Sequence, residues 1–473
     1  MRHAATAFSI IFFGSVFLTG CISLSKYPGF NEVESSVEDR TGFTLDKRDD
    51  AIKDKLPEII GSLAEGRLEL EEAVEIALLN NYQLQATFQE LGIVKADLLE
   101  AGLLKNPRFR MSVRFPEEGV ETNTEFSITQ DFLDLLYLPL RRRVASARFE
   151  QAKMRVADAV LNLIAEVKTA YYSVQAAEQN ALLQKTVLES SEAAVELSAR
   201  QLQAGNIKAL DHVNEQAAGE QARLEFAQAE TAVLSRREAL IRLLGLTGAE
   251  SWEISPELPD LPSSEPPLED LEEQALSQRL DLAAVRKETE IFRKTLLASR
   301  VGIIQDSEIG ISSEKDPDGT RVTGPEFGTE IPIFNWQQGA SSRNKALLNQ
   351  SRYGVAAFEI QVRSEVREAR NKLLLARATA ESYRDNLIPA RAEIVRLMQL
   401  QYNYMLEGVY ELLLVKQNEI NAHRHYIESL KEYWISRAEL ERSLGNTLPV
   451  PAKAAKPQTE TTAEETRNSH EHH

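Results

Sequence analysis

The chain has 473 residues, 43% of them hydrophobic, and a formal charge of −18, enough apolar material for several domains of about 150 residues or for one elongated architecture. The acidic balance excludes a nucleic-acid surface, which needs a basic footprint. The single cysteine, Cys21, excludes a disulfide framework, a cysteine metal cluster and a Cys–His catalytic pair.

Met1-Arg2-His3 is a short basic start, Ala4 to Phe17 is apolar with only Ser, Thr and Gly as relief, and Leu18-Thr19-Gly20-Cys21 closes the segment. Residues 1–20 therefore read as a secretory signal. The ending resembles a bacterial lipobox, which implies lipid attachment at Cys21. The alternative is an uncleaved anchor with an incidental cysteine, against which the run is short for a span of about 20 residues. Ile22 after the cysteine, rather than Asp, points by the same resemblance to the outer membrane. No later segment is long and apolar enough to cross as a helix, so a mature chain that spans a bilayer does so with strands.

Residues 21–66 are polar and mixed, and are expected to run extended over other elements. A first unit, 67–250, opens with a helical pattern from Leu68 (Leu70, Val74, Ala77, Leu78, Leu84, Leu91) to Leu104, ended by Asn106-Pro107. The period then drops to two. Arg108 to Phe115 alternates polar and apolar, Pro116-Glu117-Glu118-Gly119 is a turn, and Thr124 to Phe132 returns. This predicts a hairpin of about ten-residue strands with Phe109, Met111, Val113 and Phe115 on one face. The alternation alone fits a lipid-facing strand and a half-buried soluble hairpin equally. An isolated hairpin is barely stable, and the long helices on either side offer it no soluble sheet.

From Arg141 to Gln203 apolar or small residues fall at Val156, Val160, Leu163, Val167, Ala170, Val174, Ala177 and Ala181, a heptad seam. It continues as Gln184, Leu188, Ser191, Val195, Ser198 and Leu202, half of them polar, as where a helix lines water. The predicted helix is roughly 90 Å long; it turns at Ala204-Gly205-Asn206 and returns to Gly245. A Pro-rich connector, 251–267, cannot be helical. The pattern then repeats over 268–448: a helix from Leu268 to Ser299, a hairpin from Glu308 to Ser313 and Arg321 to Ile333, and a helix from Asn335 to Tyr404 that turns near Gly408 and returns to Gly445. Pro325 leaves the register of the second hairpin open. Arg143 answers Arg343, Glu125-Phe126 answers Glu326-Phe327, and Arg242 to Gly245 answers Arg442 to Gly445. A tandem duplication is the economical explanation. Residues 449–473 read as a disordered tail.

In their order along 68–448 these features resemble the TolC-type outer-membrane efflux proteins, including lipidated members and in part the heavy-metal branch. The resemblance rests on Leu70 to Asn81 as an opening helix, Asn106-Pro107, Glu330 to Asn335 with Gly339, Gly205 and Gly408 at two tips, and a Leu-Gly close to each half. It implies a mainly α fold with a small β part. Duplicated coiled-coil hairpins form a periplasmic α-barrel, and four strands per subunit enter a twelve-stranded barrel in a homotrimer. It also implies a passive outer-membrane channel of a tripartite efflux system, exporting small molecules or metal ions, with a periplasmic adaptor and an inner-membrane pump as partners. Ala204, Gly205, Asn206, Glu407, Gly408 and Val409 become the adaptor-docking tips. Two hairpins cannot close a barrel alone, and three copies supply an even, closable set. The alternative is a lipid-anchored periplasmic coiled-coil scaffold without a pore.

No Ser-centred elbow, phosphate loop or metal-spaced His/Cys set occurs, so no enzyme, cofactor or metal site is expected. His423 continues the seam of Ile420, Ile427, Leu430 and Trp434 and reads as a packed residue, while His425, two residues on, faces elsewhere. His470, His472 and His473 read as a solvated end or a loose metal site. Gly205 and Gly408 read as the left-handed residues that end helices. Arg141, Arg142 and Arg143 are either a solvated helix start or lipid-phosphate contacts. Tyr137 and Trp336 suit an interfacial girdle or a buried equatorial contact.

Overall fold

A computed structural model describes residues 28–45, 67–115, 122–247, 252–301, 307–316 and 318–448. The signal segment, Cys21, the turn at 116–119 and the tail at 449–473 lie outside the described residues.

The first described element corrects the expectation of an extended 21–66 segment over residues 30–41; 21–27 and 46–66 lie outside the described residues. α1 (Phe30–Thr41) buries Phe30, Val33 and Val37, three residues at helical spacing on one stripe. Phe30 packs its ring 5.4 Å from Phe88, and Thr447 donates its N–H and Oγ1 to the Arg40 carbonyl at 3.2 and 3.0 Å. A twelve-residue amphipathic stretch is too short to be helical alone; tertiary packing makes it so. A two-stranded parallel pair, β1 (Arg67–Leu68) with β4 (Glu253–Ile254), then joins the start of the first unit to the connector.

α2 (Leu70–Asn80) and α3 (Tyr82–Glu100) replace the single helix expected from Leu68 to Leu104. Asn81 breaks it. Its Oδ1 caps α3 by accepting from the Leu84 N–H at 2.9 Å, and its Nδ2 donates to the Leu243 carbonyl at 2.9 Å. Asn80 donates to the Leu244 and Gly245 carbonyls at 3.0 and 2.7 Å. These two amides satisfy carbonyls that a helix end leaves orphaned. Gly245 (φ 70°) accepts the approach because a Cβ there would stand 2.3 Å from the Asn80 carbonyl oxygen.

β2 (Arg108–Arg114) and β3 (Asn123–Asp131) form the first hairpin. α4 (Leu133–Gln203) follows as one helix of 71 residues, with Pro139 inside it. It starts eight residues before the expected Arg141, and spans roughly 105 Å. Proline removes one hydrogen bond but falls near the start, where an Asp134–Arg141 ion pair at 2.6 Å brackets it. α5 (Ala209–Leu244) returns antiparallel, held by Glu178–Arg237 at 2.5 Å and Glu192–Arg223 at 3.1 Å.

The connector is irregular but fastened. Trp434 Nε1 donates to the Pro259 carbonyl, and Arg377 to that of Pro262, both at 2.8 Å. Glu265 accepts from Arg377 (2.7 Å), Tyr433 Oη (2.5 Å) and Arg437 (3.2 Å). α6 (Leu271–Gln278), α7 (Leu280–Val301), β5 (Glu308–Lys315), β6 (Arg321–Gly328) and α8 (Gln338–Ser382) then repeat the first unit. The long helix expected from Asn335 to Tyr404 is interrupted: a π turn over Tyr383–Leu387 separates α8 from α9 (Ile388–Asn403). Pro389, at the start of α9, lacks an N–H and crowds the preceding turn, and a widened turn accommodates it. α10 (Val409–Leu444) closes the chain and, like α5, has 36 residues. The buried core joins the middle of α4 to α1, α2, α8 and α10. The arms toward 204 and 404 extend beyond it.

Candidate functional site

The four hairpin strands form one antiparallel sheet of order β2-β3-β5-β6. Side chains opposite one another across a pair share a face, so the register assigns the faces. Phe109, Ile128, Ile311 and Pro325 form one row, and Met111, Phe126, Ser313 and Thr323 the next. With Val113, Ile309 and Phe327 they make an apolar face whose large residues are all exposed; Phe109 and Ile311 are 65% and 64% accessible. Phe115, just past β2, is exposed beside them. Lys315 and Arg321 bring charge to this face only at its end. Pro325, with no N–H to donate, stands on the edge strand β6 in full register with Ile311.

The opposite face is polar. It carries Arg108, Arg110, Ser112 and Arg114 on β2, Glu125, Ser127 and Thr129 on β3, Ser312 and Glu314 on β5, and Glu326 on β6. Arg108 pairs with Glu308 at 2.5 Å, and Arg114 with Glu125 at 3.1 Å and Glu314 at 3.9 Å. β2 and β6 pair on one side only, so the sheet has two open edges.

Below the sheet Asp134, 3% exposed, accepts from the Lys105 N–H at 3.1 Å and from Arg141. Arg141 also donates to the Leu103 carbonyl at 3.2 Å. Arg141 is therefore a junction residue engaged by Asp134 rather than a free solvated cation; Arg142 and Arg143 are exposed. Tyr137 is half-buried, whereas Trp336 is exposed and donates Nε1 to the Ile333 carbonyl at 3.2 Å.

The two tips have the same backbone, and it corrects one expected equivalence. Gly205 (φ 76°) is the left-handed residue of the first turn, with Gly205 N–H to Leu202 and Asn206 N–H to Gln201 at 3.0 and 2.9 Å. The second turn repeats these bonds at Met405 and Leu406, and Met405 (φ 58°) is left-handed. Gly408 has φ −87° and is the N-cap of α10. Equivalent positions are 200 residues apart throughout the two arms. Gly408 thus answers Lys208, while Ala204, Gly205 and Asn206 answer Tyr404, Met405 and Leu406; Glu407 and Val409 flank that turn. Asp211 and Glu411 become equivalents in the first turns of α5 and α10, where a carboxylate is favoured by the helix dipole.

Two seam expectations also change. Gln184 and Ser198 are buried rather than water-lining. Ser198 Oγ lies 2.8 Å from His212 Nδ1 across the α4–α5 interface, a contact that sequence spacing within one helix does not reveal. His423 is exposed rather than packed, and His425, also exposed, stacks on Tyr383 with ring centroids 5.9 Å apart. Among the described residues no three His, Cys, Asp or Glu side chains are grouped to hold a metal ion, and no helix is long and apolar enough to cross a membrane.

Residues 74–246 match the family model described as outer membrane efflux protein. The cobalt-zinc-cadmium resistance protein CzcC of Cupriavidus metallidurans is 22% identical over 395 residues, 81% of this chain and 91% of that protein. Among solved structures, the CmeC outer membrane channel of Campylobacter jejuni aligns with a TM-score of 0.66 at 17% identity, covering 80% of this chain and 86% of that one. The MtrE outer membrane channel of Neisseria gonorrhoeae, in its open state, aligns with a TM-score of 0.62 at 17% identity, covering 80% and 89%.

Proposed function

We propose that the chain, whose residues 74–246 match the outer membrane efflux protein model, is an outer-membrane channel of an efflux system and builds that channel as a homotrimer. The apolar sheet face carries this reading. It exposes eight large hydrophobic residues on four strands with nothing among the described residues to cover them, and leaves two strand edges open. Lipid tolerates no open edge, and an even-numbered closed barrel removes both edges. Three copies give twelve strands, with Phe109, Met111, Val113 and Phe115 toward lipid and the Arg- and Glu-bearing face toward water. The paired arms α4–α5 and α8–α9–α10 continue below as staves of a periplasmic tunnel.

In this reading Cys21 carries the lipid. The turns at 204–206 and 404–409 meet a periplasmic adaptor that links the channel to an inner-membrane pump. Opening is a shift of the arms between two packings when the adaptor engages. The wall performs no chemistry. Among cargoes, divalent transition-metal ions are favoured by the likeness to the metal-resistance protein CzcC.

Single-channel recording of the purified protein in planar bilayers tests the conduit, with discrete conductance steps as the expected result. A soluble, monomeric, non-conducting product after delipidation would establish the pore-less scaffold instead, a reading in which the apolar face has no use. Metal cargo is tested separately: a deletion strain should lose tolerance to cobalt, zinc or cadmium, and unchanged tolerance removes the metal while leaving the channel.

A further inference from the structure

The two open edges of the sheet carry opposite charge on the polar face. β6 presents Val322, Gly324, Glu326 and Gly328 there, so Glu326 is its one charged side chain. β2 presents Arg108, Arg110, Ser112 and Arg114. Arg108 and Arg114 are engaged within the chain, whereas Arg110 is exposed and has no ion pair among the described residues. Glu326 is the converse: its Oε2 is buried and has no hydrogen-bond partner. A carboxylate oxygen left without a donor is costly, and a guanidinium supplies the strongest partner for it.

We propose that Glu326 pairs with Arg110 of the partner subunit, so that three such pairs pin the register in which copies join. The inference rests on the trimeric barrel proposed above. Four strands alternate in direction, so β6 meets the next β2 antiparallel. Both apolar faces must point to lipid, which forces polar-face residues to meet polar-face residues, since a slip of one inverts every side chain. The internal duplication then selects among the allowed registers. β5 follows β2 by the 200 residues that relate the arms, and the hairpin pairings Arg108↔Thr129 and Glu308↔Gly328 make Gly328 the counterpart of Thr129. Phe327 is then the counterpart of Ile128, which corrects the sequence pairing of Glu125-Phe126 with Glu326-Phe327 by two positions, and Met111 is that of Ile311. The observed Ile128↔Ile311 pairing of β3 with β5 transfers to Phe327 opposite Met111 of the partner subunit, and Glu326 opposite Ser112 of the partner subunit.

That register puts Arg110 and Arg114 of the partner subunit on the two diagonals from Glu326. Long side chains span such a diagonal, and this chain already does so: Glu125 lies opposite Ser112 and is reached by Arg114 at 3.1 Å. Arg114 is committed to Glu125 and Glu314. Arg110 is the free one.

Two arms test the pair in the full-length protein. In the first, Glu326→Cys is combined with Ser112→Cys. Within one copy these positions are three strand spacings apart, roughly 14 Å, beyond the about 7 Å a disulfide allows, so only neighbouring copies can link. Oxidation is expected to give covalent trimers on a non-reducing denaturing gel, and Glu326→Cys with Met111→Cys to give none. In the second arm, Arg110→Glu and Glu326→Arg are each expected to lose most of the detergent-resistant trimer, and the double swap to recover it. A swap no better than its parents, or cross-linking through Met111 rather than Ser112, overturns the pair while the trimer stands. A native mass of one chain for the wild type overturns the trimer and the pair with it.

Discussion

Asp158 sits on α4 against the equatorial core, and its carboxyl is pushed up to about 6, first by burial and next by Asp281, against the pull of Arg279 and a hydrogen bond from Asn162. The sign follows from linkage. The folded chain holds this proton more tightly than the unfolded chain does, so the associated stability is complete below the ordinary value of 3.8 and is lost as pH rises through about 6. Asp158→Asn is therefore expected to stabilise the protein at pH 7.5 by on the order of 2–3 kcal/mol, and to change little at pH 4. Thermal melts at the two pH values decide it, and a gain of equal size at both refutes the ionisation account. Glu265 is held by cations instead. Arg437 (side chain 7% exposed) and Arg377 (15%) converge on it, and burial followed by the Glu265 hydrogen bond raises the Tyr433 phenol above its ordinary value. Glu265→Ala takes a shared carboxylate from two largely buried cations, which keep Glu381 and Glu441, and is expected to cost about 2 kcal/mol, read as a lowered melting temperature. A cost under about 0.5 kcal/mol, typical of surface sites, would mean that the connector is merely draped.

At the scale of elements the two tips make a controlled comparison, because one backbone is built from different residues. Gly205 adopts its left-handed conformation freely; Met405 adopts the same one against its Cβ, a strain of roughly 1–2 kcal/mol. Met405→Gly is expected to relieve about that amount and to slow amide exchange at Leu406, whereas Gly205→Ala introduces strain and speeds exchange at Asn206. Proline extends the contrast. Gly408 (φ −87°) lies close to the proline range, while Met405 (φ 58°) cannot accept it. Met405→Pro should therefore open the second tip and Gly408→Pro should not. The difference shows what was legible in the sequence. The 3.5- and 2-residue periods are local, so the long helices, both hairpins and the turn regions could be read from spacing alone. Gly408 misled because a glycine marks a permitted conformation, not an adopted one. α1 and the break at Asn81 were not legible, since each is decided by partners distant in the chain, Thr447 for α1 and Leu243 for Asn81; the π turn before Pro389 was not legible because a proline in a helical stretch does not say how the turn before it adjusts.

At the scale of the whole molecule, the apolar strand face was visible in advance from Phe109, Met111, Val113 and Phe115, but only the register of four strands shows that Phe126, Ile128, Ile309, Ile311 and Phe327 complete it. The junction at Asp134 and the charges at the sheet edges were not visible, because ion pairs between separate elements leave no period in a sequence. Completeness of the apolar face is what distinguishes a wall in lipid from a hairpin resting on a domain, and two consecutive residues on β5 test it. Ile311 points to the apolar side and Ser312 to the polar side, opposite Ser127. An arginine near the mid-depth of a lipid-facing barrel surface costs ~2–4 kcal/mol, while a water-filled lumen accepts one. Ile311→Arg is therefore expected to abolish trimer assembly in the outer membrane. Ser312→Arg should leave assembly intact and lower single-channel conductance, since three added cations then stand in one ring. If both variants assemble equally well, the apolar face does not meet lipid, and the barrel reading fails with it.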